Sequence, residues 1–399
     1  MNKDGILVIN CGSSSLKYSL IDPDNGDVFI EGIAERLTNK SASISINYLD
    51  NNWSHSLASP HDHKMAIAAL VELLREKKLV KHIVAVGHRV VHGGETYAQP
   101  TLITNEVKQT IFALAKIAPL HNPANLIGIE AAEAAFDSLP QVAIFDTAFH
   151  QTMPSKAYLY GLPYSLYKKH SIRKYGFHGT SHYFVAKQAA LLLDKPFNQC
   201  NLISAHLGNG CSVTAVKNGL SVDSSMGFTP LEGVMMGSRS GSIDPGIIFH
   251  LIEQLNYTPE QVNHMLNKES GLLGISELSN DCRSLEEAMN IDGNAQAKLA
   301  LDIFSYQIAK SISSLSASLS ELDGIVFTGG IGENSSYVRE QITAQLSLLN
   351  ISLDHQQNKQ LRFGRAGNIA QSTSRPCLVI PTNEEWVIAE QTFELLNKD

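Results

Sequence analysis

The 399-residue sequence predicts an α/β protein built as two copies of one plan, and three observations predict it. An apolar run, Ile6-Leu7-Val8-Ile9, enters a polar glycine turn at Asn10-Cys11-Gly12-Ser13-Ser14-Ser15-Leu16-Lys17. The plan returns over residues 201–219: an apolar strand, the polar residue His206, the turn Gly208-Asn209-Gly210, an alternating strand, and a second turn at Lys217-Asn218-Gly219. Around these, strand-like apolar runs alternate with segments of helical spacing, which is the mark of α/β order. A plan stated twice reads as an internal duplication.

Each element follows from local pattern. Apolar and alternating residues over 6–21 predict a hairpin closed by Asp22-Pro23-Asp24-Asn25-Gly26, with residues 28–33 adding a strand. Residues 43–48 alternate with period two ahead of Asp50-Asn51-Asn52, so a surface hairpin is expected. Helical spacing marks 64–78, 105–116 and 122–135. The strand 82–87 is expected to give way to a polar loop, His88-Arg89-Val90-Val91-His92-Gly93-Gly94, at a strand end where ligands commonly sit. A further strand, 141–145, delivers Asp146. A third glycine cluster, Thr328-Gly329-Gly330-Ile331-Gly332-Glu333-Asn334, follows the strand 324–327 and precedes a helix from Ser335; backbone this bare beside a helix N-terminus suits close approach of a nucleotide. The expected domain boundary lies near Met153-Pro154, giving domains 1–152 and 153–383 with a last helix, 384–399, returning to the first.

Composition narrows the function classes. A 43% hydrophobic and 18% charged chain is ordinary for a globular protein, and a net charge of −8 argues against nucleic-acid or membrane-surface partners, which need a basic face. An anionic ligand must then be met by a few local cations. The five cysteines, Cys11, Cys200, Cys211, Cys282 and Cys377, are scattered without a C-x-x-C pair, so reduced thiols and a cytoplasmic setting are expected. No signal peptide or membrane span is expected either.

The chemistry-bearing residues cluster at the turns. Gly12 permits a tight turn, the three serines offer hydroxyls and amide N–H groups, Asn10 can orient a cation or a water, and Lys17 adds a positive charge; an ordinary serine-rich hairpin is the bland alternative. There is no G-x-x-x-x-G-K-[ST], and Gly208-Asn209-Gly210 lacks the third glycine of a dinucleotide fingerprint. Arg89 in its polar loop and Arg239 in Gly237-Ser238-Arg239-Ser240-Gly241 are suited to gripping a planar anion, against the alternative of solvated surface arginines. His178 and His182 stand four apart and are compatible with a metal, but without H-E-x-x-H and with Gly179 between them. Asp146 and Glu384 are candidate carboxylates for Mg2+, which keeps several waters and needs few protein oxygens, whereas Glu385 suits a solvated helix start.

Together these segments resemble the acetokinase family, the acetate kinases. The matching motifs are the Asn10 to Lys17 turn, His88 to Gly94, Phe145-Asp146-Thr147-Ala148-Phe149-His150, Tyr175 to His182, His206-Leu207-Gly208-Asn209-Gly210, Met226-Gly227-Phe228-Thr229-Pro230 and Gly329 to Asn334, in order over essentially the whole chain. The resemblance implies two duplicated βββαβαβα domains of the actin-like ATPase fold around a nucleotide cleft, a homodimer, and reversible Mg2+-dependent phosphoryl transfer between ATP and acetate, giving acetyl phosphate and ADP. Mn2+ is a possible substitute. A propionate kinase of the same family, or a sugar kinase of the same superfamily, is the alternative. Carried over by motif, Asn10 and Glu384 are the metal site, and Arg89 holds the acyl carboxylate. Val91, Leu120, Phe177 and Pro230 form the pocket for the acetate methyl group. Asp146, His178, Arg239 and Arg89 carry the transfer. Lys17, His206, Leu207, Gly208, Asn209, Gly210, Asp281, Cys282, Arg283, Gly329, Gly330, Ile331, Gly332 and Glu333 contact ATP. Two departures stand out: Ser242 replaces the aspartate usual after Arg-Ser-Gly, and Cys211 stands where glycine or alanine usually follows Gly-Asn-Gly.

Overall fold

The computed structural model describes residues 4–49, 51–119 and 121–398. They fall into two compact units, Met1–Ala148 with Asn383–Asp399, and Phe149–Thr382.

The first unit is organised on an eight-stranded sheet. Its strands are β1 (Gly5–Cys11), β2 (Ser15–Ile21), β3 (Val28–Glu35), β4 (Ser43–Tyr48), β5 (Asn51–Ser56), β6 (Ile83–Val90), β7 (Thr101–Leu102) and β8 (Gln141–Phe145), in the spatial order β5-β4-β3-β2-β1-β6-β8-β7. Strands β1 to β5 form an antiparallel meander, and β6 and β8 join β1 in parallel. The turn assignments shift from the sequence reading: β1 and β2 close on each other at Gly12–Ser14, and Asp22–Gly26 instead turns β2 into β3. The short polar turn at 12–14 suffices, because the Gly12 N–H donates to the Ser15 carbonyl at 2.8 Å.

One correction bears on function: β6 does not end at Gly87 but runs on through His88, Arg89 and Val90. His88 lies buried in it with Nε2 2.7 Å from Gln141 Oε1 on the next strand, so a polar residue is satisfied inside the sheet. The helices His63–Glu76 and Asn122–Ala135 pack on one face over Leu7, Ile9, Leu16 and Leu20. The segment expected as one helix over 105–116 is an α-helix only for Asn105–Ala113 and tightens to a single 3-10 turn at Leu114–Lys116. On the opposite face the C-terminal helix Glu384–Leu396 lays Ile388 and Ala389 on Ile6, Val8, Ala85, Val142 and Ile144. Gly87 makes that approach possible: a Cβ there would stand 2.6 Å from Thr392 Oγ1 and 2.8 Å from Ile388 Cγ2.

The second unit repeats the plan with six strands: β9 (Leu202–Leu207), β10 (Cys211–Lys217), β11 (Leu220–Ser224), β12 (Gly324–Thr328), β13 (Gly367–Asn368) and β14 (Cys377–Val379), ordered β11-β10-β9-β12-β14-β13. An antiparallel meander, two strands joining in parallel, and a short antiparallel strand at the far edge match β3-β2-β1-β6-β8-β7 position for position. The duplication inferred from two short turns therefore extends to six strands, with β4 and β5 an addition to the first sheet. The helix Ala295–Ser316 buries Leu301, Phe304, Ile308 and Ile312, and the helix Gly179–Leu192 buries His182, Val185 and Ala189. A second correction concerns residues 329–334: Gly329–Asn334 is itself a short helix, followed by Ser336–Thr343. Gly329 takes φ +76°, and a Cβ there would press on the Leu207 backbone at 2.8 Å, so glycine is required where β12 turns into this helix.

Candidate active site

In the first unit the site is a consequence of strand period. Side chains alternate along a strand, so the face of β1 that carries Ile6 and Val8 also carries Asn10. The same face of β6 carries Ala85, Gly87 and Arg89, and that of β8 carries Val142, Ile144 and then Asp146. The three strands are parallel neighbours, with Ile9 paired to His88 and Arg89 to Ile144, so Asn10, Arg89 and Asp146 gather at their C-terminal ends. The helix packed on this face begins at Glu384, which is thereby brought to the same end. Lys17 stands directly opposite Asn10 in the β1–β2 ladder, with its side chain exposed.

Arg89 and Asp146 form a side-on pair. Nε of Arg89 donates to Oδ1 and Oδ2 of Asp146 at 3.0 and 3.2 Å, and Nη2 donates to Oδ2 at 2.8 Å. Nη1 faces Glu384 Oε2 at 3.6 Å. The Arg89 side chain is only 19% exposed and that of Asp146 3%, so neither is a solvated surface charge. Burial alone would disfavour the guanidinium, but the Asp146 and Glu384 carboxylates outweigh it and raise its pKa further above the ordinary arginine range. Val91 follows at the end of β6, its N–H donating to Asn125 Oδ1 at 3.1 Å, while Asn122 Oδ1 accepts from the His92 N–H at 3.2 Å. The two asparagines, on the first turn of the helix Asn122–Ala135, pin this loop; nothing in their local sequence signalled it beyond their place at a helix start. Leu120 lies outside the described residues.

In the second unit the predicted residues fall into two groups. The first comprises His178, His206, Gly210 and Arg239. The His178 and His206 rings stack with centroids 4.3 Å apart. The position a Cβ on Gly210 would take is 3.4 Å from His178 Cε1 and Nε2 and 3.6 Å from Arg239 Nη1, so this turn glycine lies against both. Arg239 is held by Nη1 donating to the Pro230 carbonyl at 2.9 Å, and burial lowers its pKa. The missing aspartate does not unseat it. Ser242 closes its own loop instead, accepting from the Gly233 N–H at 3.0 Å and donating its N–H to the Gly233 carbonyl at 2.8 Å. Cys211 braces the neighbouring turn, its thiol donating to the Gly208 carbonyl at 3.1 Å; burial pushes the thiol up to about 12, so it stays protonated. Phe177 is buried and Pro230 partly so.

The second group lines a cavity of about 540 Å³: Gly208, Asn209, Asp281, Cys282, Arg283, Gly330 and Ile331, all expected from the sequence. Asn280, Glu286, Asn334, Ser335, Arg362 and Phe363 line it too and were not expected, since isolated residues on helix and loop surfaces carry no local pattern. Asp281 caps the helix Cys282–Asp292 through the Ser284 N–H at 3.0 Å. Glu333 turns inward: its Oε1 accepts from the N–H of Gly329 at 2.9 Å and of Thr382 at 3.1 Å, which holds the glycine turn in shape. His206 reaches Ser181 Oγ through Nδ1 at 2.8 Å, and Leu207 and Gly332 are buried in the strand and helix that frame the turn. His182 uses Nδ1 and Nε2 on Ser204 and Ser212, both at 2.7 Å, so it offers no lone pair to a metal shared with His178.

Comparison with known proteins agrees over the full length. Residues 5–390 match the model of the acetokinase family. The chain is 53% identical over 401 residues to an acetate kinase of Shewanella sp. (strain W3-18-1), covering all of both chains. Among solved structures it superposes on a propionate kinase from Francisella tularensis subsp. tularensis SCHU S4 with a TM-score of 0.93 at 44% identity, covering 97% of this chain and 98% of that one. It superposes equally on the acetate kinase of Porphyromonas gingivalis, with a TM-score of 0.93 at 39% identity and coverage of 99% and 100%.

Proposed function

The chain belongs to the acetokinase family, and from that premise we propose that it catalyses reversible phosphoryl transfer between ATP and acetate, giving acetyl phosphate and ADP. The observation that carries the reading is the Arg89–Asp146 pair. Asp146 binds the guanidinium through Nε and Nη2, and Glu384 stands 3.6 Å from Nη1, beyond hydrogen-bond distance, so the Nη1 edge has hydrogens to offer a second planar anion. A small carboxylate is such an anion. It is already ionised at neutral pH, its pKa lying near 4 like those of Asp and Glu, so the attacking oxygen has no proton to lose and no general base is needed. Asp146, committed to Arg89, serves as an aligner of that cation.

The obstacle to reaction is an anion meeting a polyanion, and cations and N–H donors around the moving phosphoryl group remove it. Arg89 neutralises the acceptor, Arg239 and His178 receive the phosphoryl oxygens, and Lys17 faces the phosphates. The cavity lined by Gly208, Asp281, Arg283 and Ile331 takes the nucleoside part of ATP. Asn10 and Glu384 offer oxygen donors at one end of the sheet, a set that suits Mg2+, and Mn2+ by the same chemistry. When bound, the ion neutralises phosphate charge. Val91, Leu120, Phe177 and Pro230 are assigned to the methyl group of acetate. The helix Pro245–Glu253 supports a homodimer: Ile247 and Phe249 are 45% and 60% exposed on it, and a second copy of this chain is the occupant we assign, checked by sedimentation. Among the described residues no helix is long and apolar enough to cross a membrane, and a cytoplasmic setting is part of the proposal.

Trapping acyl phosphate as hydroxamate, with acetate, propionate, butyrate and glucose offered in turn alongside Mg-ATP, tests the reading. Acetate should give the highest kcat/KM. A preference for propionate would make the chain a propionate kinase, and ATP turnover with glucose alone would make it a sugar kinase.

A further inference from the structure

A chain of buried hydrogen bonds runs behind His178. Its Nδ1 is 2.9 Å from Ser212 Oγ; the same oxygen is 2.7 Å from His182 Nε2; and His182 Nδ1 is 2.7 Å from Ser204 Oγ. Ser204, Ser212 and His182 are all completely buried. We propose that His182 is a positioning residue: through Ser212, which donates to Nδ1 of His178, it leaves the ring hydrogen of His178 on Nε2, the edge that faces Gly210. The role rests on the phosphoryl-transfer reading above, because it presents an N–H rather than a lone pair to phosphoryl oxygens.

Hydrogen counting sets the direction of the chain. His182 is neutral, since burial holds its pKa well below the usual range and the neighbouring His150 and His206 act in the same sense; it therefore has one ring hydrogen. Ser212 has one hydrogen to share between two imidazole nitrogens. Three arrangements make both contacts; in one of them both imidazoles donate to the Ser212 oxygen, which leaves the buried Ser212 O–H without an acceptor among the described residues, and two remain. In the first, Ser204 donates to His182 Nδ1, His182 Nε2–H donates to Ser212, and Ser212 donates to His178 Nδ1, which leaves a neutral His178 with its hydrogen on Nε2. In the second, every donation reverses and a neutral His178 carries its hydrogen on Nδ1. Ser204 decides between them. Its hydroxyl has no hydrogen-bond partner other than His182 among the described residues, so the reversed chain would bury its O–H without an acceptor. Leaving a buried donor unmade is costlier than leaving a hydroxyl lone pair unused, and the first arrangement prevails. The same logic, a buried partner fixing an imidazole tautomer, recurs wherever a histidine must act through one chosen nitrogen.

The experiment is 15N-imidazole NMR of the full-length protein together with steady-state kinetics. Wild type should show neutral His178 with its hydrogen on Nε2, and His182 likewise. Ser212→Ala should mix the two His178 tautomers and lower kcat by roughly ten- to a hundredfold, the usual effect of losing a supporting partner, with little change in KM for ATP. Ser212→Thr, which keeps the hydroxyl, should restore the single tautomer and most of kcat. His182→Phe should match Ser212→Ala, and the double variant should be no worse than either, because both cut one chain. Should His182→Phe fold poorly, Ser212→Ala carries the test alone. Wild-type His178 found with its hydrogen on Nδ1, or Ser212→Ala retaining one tautomer and full kcat, overturns the proposal. The NMR result needs no turnover, so a failure to make acetyl phosphate would refute the acetate reading separately.

Discussion

Asp146→Asn separates alignment from proton transfer more sharply than any other substitution. The carboxylate takes three donor contacts from Arg89, at 3.0, 3.2 and 2.8 Å, through both of its oxygens. Asparagine keeps one acceptor oxygen and the same shape, but it turns an amide N–H₂ toward a guanidinium nitrogen that also donates. One charge-assisted hydrogen bond is lost, worth about 1.5 to 3 kcal/mol, which corresponds to roughly ten- to a hundredfold in rate if the guanidinium must hold its angle in the transition state. The expected outcome is a fall of that size in kcat/KM for acetate, measured by hydroxamate trapping. KM for ATP should stay within roughly twofold, since neither Arg89 nor Asp146 lines the cavity assigned to the nucleoside. Because the acceptor arrives ionised, the pH dependence of kcat/KM should keep its shape in the variant. A loss of about 10⁴-fold, the size seen when a proton-transfer constellation is broken, together with a vanished acid limb, would make Asp146 the base and refute the alignment argument.

Other expectations follow from the same geometry. Arg239→Ala should lower kcat/KM for acetate by on the order of 10² to 10³, as loss of a transition-state charge partner does; near-wild-type kinetics would remove Arg239 from the site. Glu384→Ala should raise the Mg2+ concentration needed for half-maximal rate and leave the melting curve nearly unchanged, whereas an unaltered metal titration would pass the ligand role to another carboxylate. Val91→Ala should raise the ratio of kcat/KM for propionate over acetate by roughly tenfold, since one methylene in an apolar pocket is worth about 1 to 3 kcal/mol; a flat ratio would sink the pocket assignment. Stability should fall in mild acid. Burial depresses His88, His92 and His150 to about 4 in the folded state, below the unfolded value near 6.5, so their contribution is complete above about pH 6.5 and is lost as pH drops toward 4. Melting temperature followed from pH 7 to pH 4.5 checks this, and a flat profile would contradict it.

What the sequence revealed, and what it hid, divides along the range of the interactions. The helix over 122–135 and the strand over 141–145 were legible to the residue, because apolar spacing and a helix-start proline are local signals. The end of β6 was not. His88 and Arg89 look like loop residues, and what keeps them in a strand is Gln141 for the one and Asp146 for the other, each more than fifty positions away. The helix at Gly329–Asn334 was hidden for a similar reason: three glycines disfavour a helix, but Glu333 ties its first N–H to the Thr382 backbone and fixes the turn. The catalytic candidates were found through ordered motifs, whereas Asn122, Asn125, Ser204 and Ser212 were passed over, since a serine in a strand declares nothing until its partner is known. The bland reading of Arg89 and Arg239 as surface charges failed on burial, which no single-sequence pattern reports.

The parallel core of the first sheet explains why such a site persists on a duplicated scaffold. Asn10, Arg89 and Asp146 share a face only because β1, β6 and β8 hold one register; a slip of one residue in β6 would send Arg89 to the opposite face and bring the imidazole of His88 in its place. The register is protected by the upstream residues of the same face, Ile6, Val8, Ala85, Val142 and Ile144, whose packing against Ile388 and Ala389 the same slip would break. Gly87 adds a second lock, since any side chain there would lift Ile388 and Thr392 off the sheet and carry the start of their helix, with Glu384, away from Arg89. Core packing and the placement of these charges are thus set by the same alternation. The inward positions of three strands are mostly apolar, and at their last inward position they place an amide, a guanidinium and a carboxylate, the charge that the proposed reaction of an ionised acceptor would call for in place of a base.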